Sequence, residues 1–119
     1  IYVRPKPKEH GLGNQIEGFF EKGKKVLLIE DLISTGKSSL EVAEVLREAE
    51  VEVVGMVSIF TYGFDVATIA FKNAAIEYRS LTNYPTLIDL AVERGIVTSQ
   101  DQNTLLNWRR DPANWNQIG

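Results

Sequence analysis

Residues 30–38 read Glu-Asp-Leu-Ile-Ser-Thr-Gly-Lys-Ser, the stretch whose residue types and spacing are best suited to chemistry. Gly36 lets the backbone turn tightly and approach a ligand closely. Ser34, Thr35 and Ser38 add small hydroxyl donors. From Lys37 onward the apolar period is helical, so the stretch opens a helix. The free N–H groups and the dipole at a helix start favour a phosphate. The acidic pair Glu30-Asp31 would repel a bare polyphosphate. It makes sense facing sugar hydroxyls or a hydrated Mg²⁺. A ribose phosphate offers both groups: hydroxyls for Glu30 and Asp31, and a 5′-phosphate for Ser34, Thr35, Gly36, Lys37 and Ser38, with Leu32 and Ile33 completing the substrate-binding string. The competing reading is structural, with the acids capping the loop and the serines capping the helix.

A second cluster lies upstream. Arg4, Lys6, Lys8 and His10 are set among Pro5, Pro7, Gly11 and Gly13. Prolines fix φ and glycines loosen the chain, so residues 1–13 are expected to form a mobile loop. An arginine fork and a compact lysine charge can grip phosphate, and a histidine can donate a hydrogen bond or a proton. The plain alternative is a solvated basic surface. Gly36-Lys37-Ser38 also ends like a P-loop, but that motif needs a glycine where Asp31 stands, so the P-loop reading is weak.

The elements that must position these residues follow from periodicity. Val26 to Ile29 is a continuous apolar run, expected as a fully buried parallel strand. A helix follows from Lys37 to about Ala49, with Leu40, Ala43 and Leu46 on its apolar side. Val51–Phe60 and Ile76–Leu81 read as further strands, and helical spacing marks Ala67 to Ala74. A helix is expected from near Pro85, capped by Thr82 or Asn83 and ended by Gly95. A last helix starts near Thr98 or Ser99 and stops at Asp111-Pro112. A short strand is expected within Gln15–Phe20. Trp108, Arg109 and Arg110 read as helix packing and a snorkelling surface. The alternation predicts an α/β fold, a parallel sheet flanked by helices. In such sheets ligands sit beyond the carboxyl ends of the strands, which is where Glu30 to Ser38 stand.

Composition narrows the choice. The 119 residues, 44% hydrophobic, suit one domain spanning 1–119. A net charge of −3 argues against a general grip on nucleic acid. The absence of cysteine removes disulfides, thiolate metal sites and a thiol nucleophile, and a single histidine removes a histidine-rich metal centre. No run approaches the roughly 18 apolar residues of a membrane span, so no membrane partner is expected. No signal peptide is visible, which makes a cytoplasmic location the expectation. The chain opens at Ile1 in a basic segment and is expected to be the C-terminal part of a longer protein, with the N-terminal part missing.

The string of four apolar residues, two acids, two apolar residues and Ser-Thr-Gly resembles the phosphoribosyl-pyrophosphate signature of type I phosphoribosyltransferases. Arg4-Pro5-Lys6-Pro7-Lys8-Glu9-His10-Gly11 is similar to the catalytic loop of the orotate phosphoribosyltransferase family. So are Ile59–Gly63, Ser80–Tyr84 and Asn107–Pro112 to that family's bacterial forms. The sequence departs from it at Pro5, where many members have lysine, and at Phe60-Thr61, where many have Asp-Arg. The resemblance implies a Rossmann-like core and transfer of ribose 5-phosphate from phosphoribosyl pyrophosphate to orotate, with Mg²⁺ as cofactor. It implies Arg4, Lys8, His10 and Asp31 as catalytic residues. It also implies a homodimer in which the basic loop serves the partner's site. A transferase for another base, or a binding domain without catalysis, would share the Glu30–Ser38 string.

Overall fold

The computed structural model describes residues 1–4, 6 and 15–115. Its centre is a three-stranded parallel sheet of β3 (Lys25–Ile33), β4 (Glu52–Thr61) and β5 (Tyr78–Asn83), in that spatial order. Helix α1 (Lys37–Glu48) joins β3 to β4, and α2 (Asp65–Asn73) joins β4 to β5. Two further helices follow, α3 (Tyr84–Glu93) and α4 (Ser99–Arg110). At the other end β1 (Tyr2–Val3) pairs antiparallel with β2 (Ile16–Glu17). The parallel alternation expected from the periodicity is therefore present, with each parallel step bridged by a helix.

Helices α1 and α2 cover one face of the sheet. Ala43 and Leu46 from α1 meet Ala67 and Phe71 from α2 over Val53 and Met56 of β4, and all six are buried. Among the described residues the other face is largely uncovered. Leu27 and Ile29 of β3 are 51% and 70% exposed, and Ile59 of β4 and Leu81 of β5 are 57% and 77% exposed. The expectation of a fully buried Val26–Ile29 strand is thus corrected. Strand β3 lies at the sheet edge with one covered face, so its residues alternate between half-buried and exposed. The strand also runs on to Ile33, because the ladder continues through Leu32↔Phe60 and Ile33↔Thr61.

Three helices share one kind of ending. After α1, the Glu50 amide donates to Arg47 O and the Val51 amide to Leu46 O. After α2, Ala75 donates to Lys72 O and Ile76 to Phe71 O, and α3 repeats the pattern at Gly95 and Ile96. Each is a Schellman closure, which places its first residue beyond the cap in the left-handed region. Only α3 uses glycine there. Glu50 and Ala75 adopt φ of 61° and 54° despite their side chains. The third strand was expected from Ile76, but β5 begins at Tyr78, because Ile76 is buried as part of the α2 closure.

The remaining starts follow their caps. Asn83 Oδ1 accepts from the Thr86 amide at 3.0 Å, with Pro85 in the first turn of α3. Thr98 and Asp101 exchange side-chain and backbone hydrogen bonds in a capping box at α4. Tyr2–Val3, expected as loop, are paired strand, and the expected strand within Gln15–Phe20 shrinks to Ile16–Glu17. Among the described residues no helix is long and apolar enough to cross a membrane.

Candidate functional site

The turn from β3 into α1 is set by three residues. Gly36 is the N-cap of α1 and sits at φ 79°, where a side chain is strained. Space requires glycine as well, since a Cβ there would lie 2.9 Å from Phe71 Cζ. The Phe71 ring is itself held by stacking on Tyr78, with centroids 4.7 Å apart. The loop therefore rests directly on the core, which fixes its backbone.

Among the described residues no side chain caps the start of α1. The first intrahelical bond there is Leu40 N to Gly36 O, at 3.0 Å. The Lys37 amide has only a long contact to Thr35 Oγ1, at 3.4 Å. The amides of Ser38 and Ser39 have no acceptor among the described residues. Ser34, Thr35 and Ser38 are exposed around them. Uncapped amides and free hydroxyls at a helix start make an anion cradle. The capping alternative for the serines fails here.

The acidic pair divides. Successive residues of a strand point to opposite sides. Glu30 is half-buried on the α1 side, where the Ser39 hydroxyl donates to its Oε1 at 2.9 Å. Asp31 is exposed, and its Oδ1 accepts from the Leu32 amide at 2.7 Å. Its other oxygen has no partner among the described residues. Ser39, 1% exposed, is the residue that sequence reasoning left out of the site. Its position nine residues after Glu30, one turn into a helix, was the available signal. Ile33 is corrected in the opposite sense. It was expected to line the site, but its side chain is core at 1% exposure and its carbonyl accepts from the Tyr62 amide. Only its main chain borders the loop. Leu32 and Lys37 are exposed beside the cradle.

A cleft of about 340 Å³ runs from Glu30 and Ser38 along the free edge of β3, with Tyr2 and Val3 on its far side. A second cavity, about 550 Å³, joins Thr35 to Gly63, Phe64 and Arg109.

Arg4 stands at the root of the β1–β2 hairpin. Its guanidinium pairs with Glu17 Oε1, with Nε at 2.7 Å, and its amide donates to Gln15 O. Lys8 and His10 lie outside the described residues. Thr61 points into the fold. It is buried and its Oγ1 accepts from the Gly63 amide at 3.0 Å. The reading of Arg109 as a snorkelling surface residue is also overturned, since it donates to two backbone carbonyls, Tyr62 O and Gly63 O. Beside it, burial raises the Tyr84 phenol above its ordinary value, with Tyr62 adding to the effect and Arg109 opposing it.

The cradle lies where a parallel strand of an α/β sheet turns into a helix, and sequence comparison gives the family of that fold. The model of the phosphoribosyl transferase domain matches residues 15–82, more than half of the chain, and the chain belongs to that family. Among curated relatives, the orotate phosphoribosyltransferase of Bacteroides thetaiotaomicron is 51% identical over 115 residues, 97% of this chain and 54% of its own. That of Bacillus pumilus is 53% identical over 112 residues, 94% of this chain and 53% of its own. Among solved structures, Leishmania donovani UMP synthase superposes with a TM-score of 0.72 at 28% identity, over 87% of this chain and 23% of that one. Orotate phosphoribosyltransferase from Aeropyrum pernix gives 0.67 at 27% identity, over 82% and 52%. The chain spans about half the length of the curated relatives it matches.

Proposed function

We propose that the protein containing this chain transfers ribose 5-phosphate from phosphoribosyl pyrophosphate to orotate, releasing pyrophosphate and forming orotidine 5′-monophosphate. The observation that carries the proposal is the uncapped start of α1, reached by a short turn from the strand that carries the acidic pair. The 5′-phosphate sits on the Ser38 and Ser39 amides and the hydroxyls of Ser34, Thr35 and Ser38. Asp31, exposed and with one oxygen unpartnered, accepts from a ribose hydroxyl. Glu30 stands behind, aligned by Ser39. Orotate as the acceptor is supported by the roughly 50% identity to orotate phosphoribosyltransferases.

A ring nitrogen of orotate forms the new bond to the ribose C1 as the bond to pyrophosphate breaks, so no protein nucleophile is needed. Charge builds on the departing pyrophosphate, and fixed cations lower that barrier most. Arg4, Lys8 and His10 are the groups proposed for this, carried on the segment that the β1–β2 hairpin closes, and in a homodimer they serve the partner's site. For Arg4 to act there it must exchange Glu17 for the pyrophosphate.

Mg²⁺ fits this arrangement only as a shared ion. Among the described residues no group of three or more potential ligands converges. Magnesium is commonly held by one or two carboxylates, waters and substrate phosphates. Asp31 is the carboxylate placed to take it, and the ion would neutralise charge on the pyrophosphate.

The test is depletion of orotate by the full-length protein supplied with phosphoribosyl pyrophosphate and Mg²⁺, run beside a panel of purine bases and uracil. Orotate alone should be consumed, with pyrophosphate released in equal amount. Consumption of another base in its place would refute the acceptor. Binding of phosphoribosyl pyrophosphate without turnover of any base would instead favour a regulatory domain.

A further inference from the structure

We infer that Arg109, at the end of α4, is a positioning residue for the phosphate cradle, acting through the turn between β4 and α2. Its guanidinium spans that turn, with Nε donating to Tyr62 O at 2.6 Å and Nη2 to Gly63 O at 2.8 Å. This two-point grip uses the planar fork that a lysine lacks. Gly63 is fitted to it. The residue sits at φ 66°, and a Cβ there would lie 2.8 Å from Arg109 Nη2. A second tether holds the same turn from below, the Gly63 amide on the buried Thr61 hydroxyl. Half-buried, Arg109 has no carboxylate partner among the described residues, so its charge is directed at these carbonyls.

The turn touches the cradle in two ways. The Tyr62 amide donates to Ile33 O, the last ladder contact before the Ser34–Ser38 loop begins. Two residues after Gly63, α2 starts, and it carries Phe71, the ring on which Gly36 rests. Displacing the turn therefore moves both the root and the floor of the loop. Stacking of Phe64 on Tyr62, at 5.1 Å, and the edge of Trp108 against both rings keep α4 on the turn. The sequence separation is large, 47 residues between Arg109 and Tyr62. No local pattern announces such a grip.

The inference rests on the phosphoribosyl reading of the cradle and adds a residue outside it. The test is calorimetric titration of phosphoribosyl pyrophosphate with Mg²⁺ into the full-length protein, for the wild type, Arg109→Gln, Arg109→Lys and Thr61→Val. Thermal melting of each is recorded alongside. Arg109→Gln should weaken binding about tenfold or more, since hydrogen bonds from a charged donor are lost. Arg109→Lys should recover only part of that, and the KM for the base should not move. A role confined to packing would lower the melting temperature and leave the dissociation constant unchanged, which would overturn the inference. If Arg109→Gln does not fold, Thr61→Val decides. Weakened binding, a few-fold by loss of one hydrogen bond, supports the tethered turn, and unchanged binding refutes it. Absence of binding by the wild type would refute the phosphoribosyl reading, and the Arg109 inference with it.

Discussion

The cradle at the head of α1 and the Arg4 site beside β1 are held in different ways. Three residues of the cradle are fixed by what lies beneath them. Gly36 lies on Phe71, Ile33 is held through the Tyr62 amide, and Glu30 is held by Ser39. Arg4 is held by its pair with Glu17 and by its amide on Gln15 O, beside the two-residue strands β1 and β2. The difference matches two tasks. A ground-state phosphate needs donors already in place, whereas cations for a leaving group are needed only as charge develops. It also separates two kinds of functional loss, one in affinity and one in rate.

Substitutions can break or sharpen that division. The largest effect is expected from Lys8→Ala in the full-length protein. Removing one cation from over the leaving group should cost about 100- to 1,000-fold in kcat. Affinity for ribose 5-phosphate should stay the same, and a parallel loss of affinity would merge the two regions into one site. Asp31→Asn should act on the other side of the division. Its exposed oxygen is proposed to hold a ribose hydroxyl, so affinity for ribose 5-phosphate should fall about tenfold to a hundredfold. The melting temperature should move by no more than a few degrees, and a large drop would return Asp31 to a loop-capping role. Gly36→Ala should cost both stability and affinity. The strained φ alone is worth roughly 1–2 kcal/mol, and the methyl must displace Phe71. Chemical denaturation and phosphate binding read the two losses separately. The smallest effect is a gain. Ala75→Gly relieves a left-handed residue at the α2 closure and should raise stability by about 1 kcal/mol, with binding unchanged. Loss of affinity in that variant would show that the cradle responds to α2 as a whole.

Much of this was legible in the sequence because the signals are local. The acidic pair, the glycine before a helical period and the strand–helix alternation lie within a few residues of what they specify. So do the Asn83 and Thr98 caps. Three features escaped for physical reasons. The burial of Val26 to Ile29 was overread, because an apolar run looks alike whether one or both faces are covered. The ends of α1 and α2 carried no glycine, although both close as α3 does. The roles of Ser39 and Arg109 depend on partners 9 and 46–47 residues away, which only the assembled fold brings together.

The amides opening α1 are proposed to hold the 5′-phosphate of a ribose. The most direct measurement is an amide chemical-shift titration of the full-length protein with ribose 5-phosphate. The largest and saturable shifts are expected at Thr35 through Ser39, lost in Gly36→Ala. Shifts centred elsewhere, or the same response in Gly36→Ala as in the wild type, would contradict it.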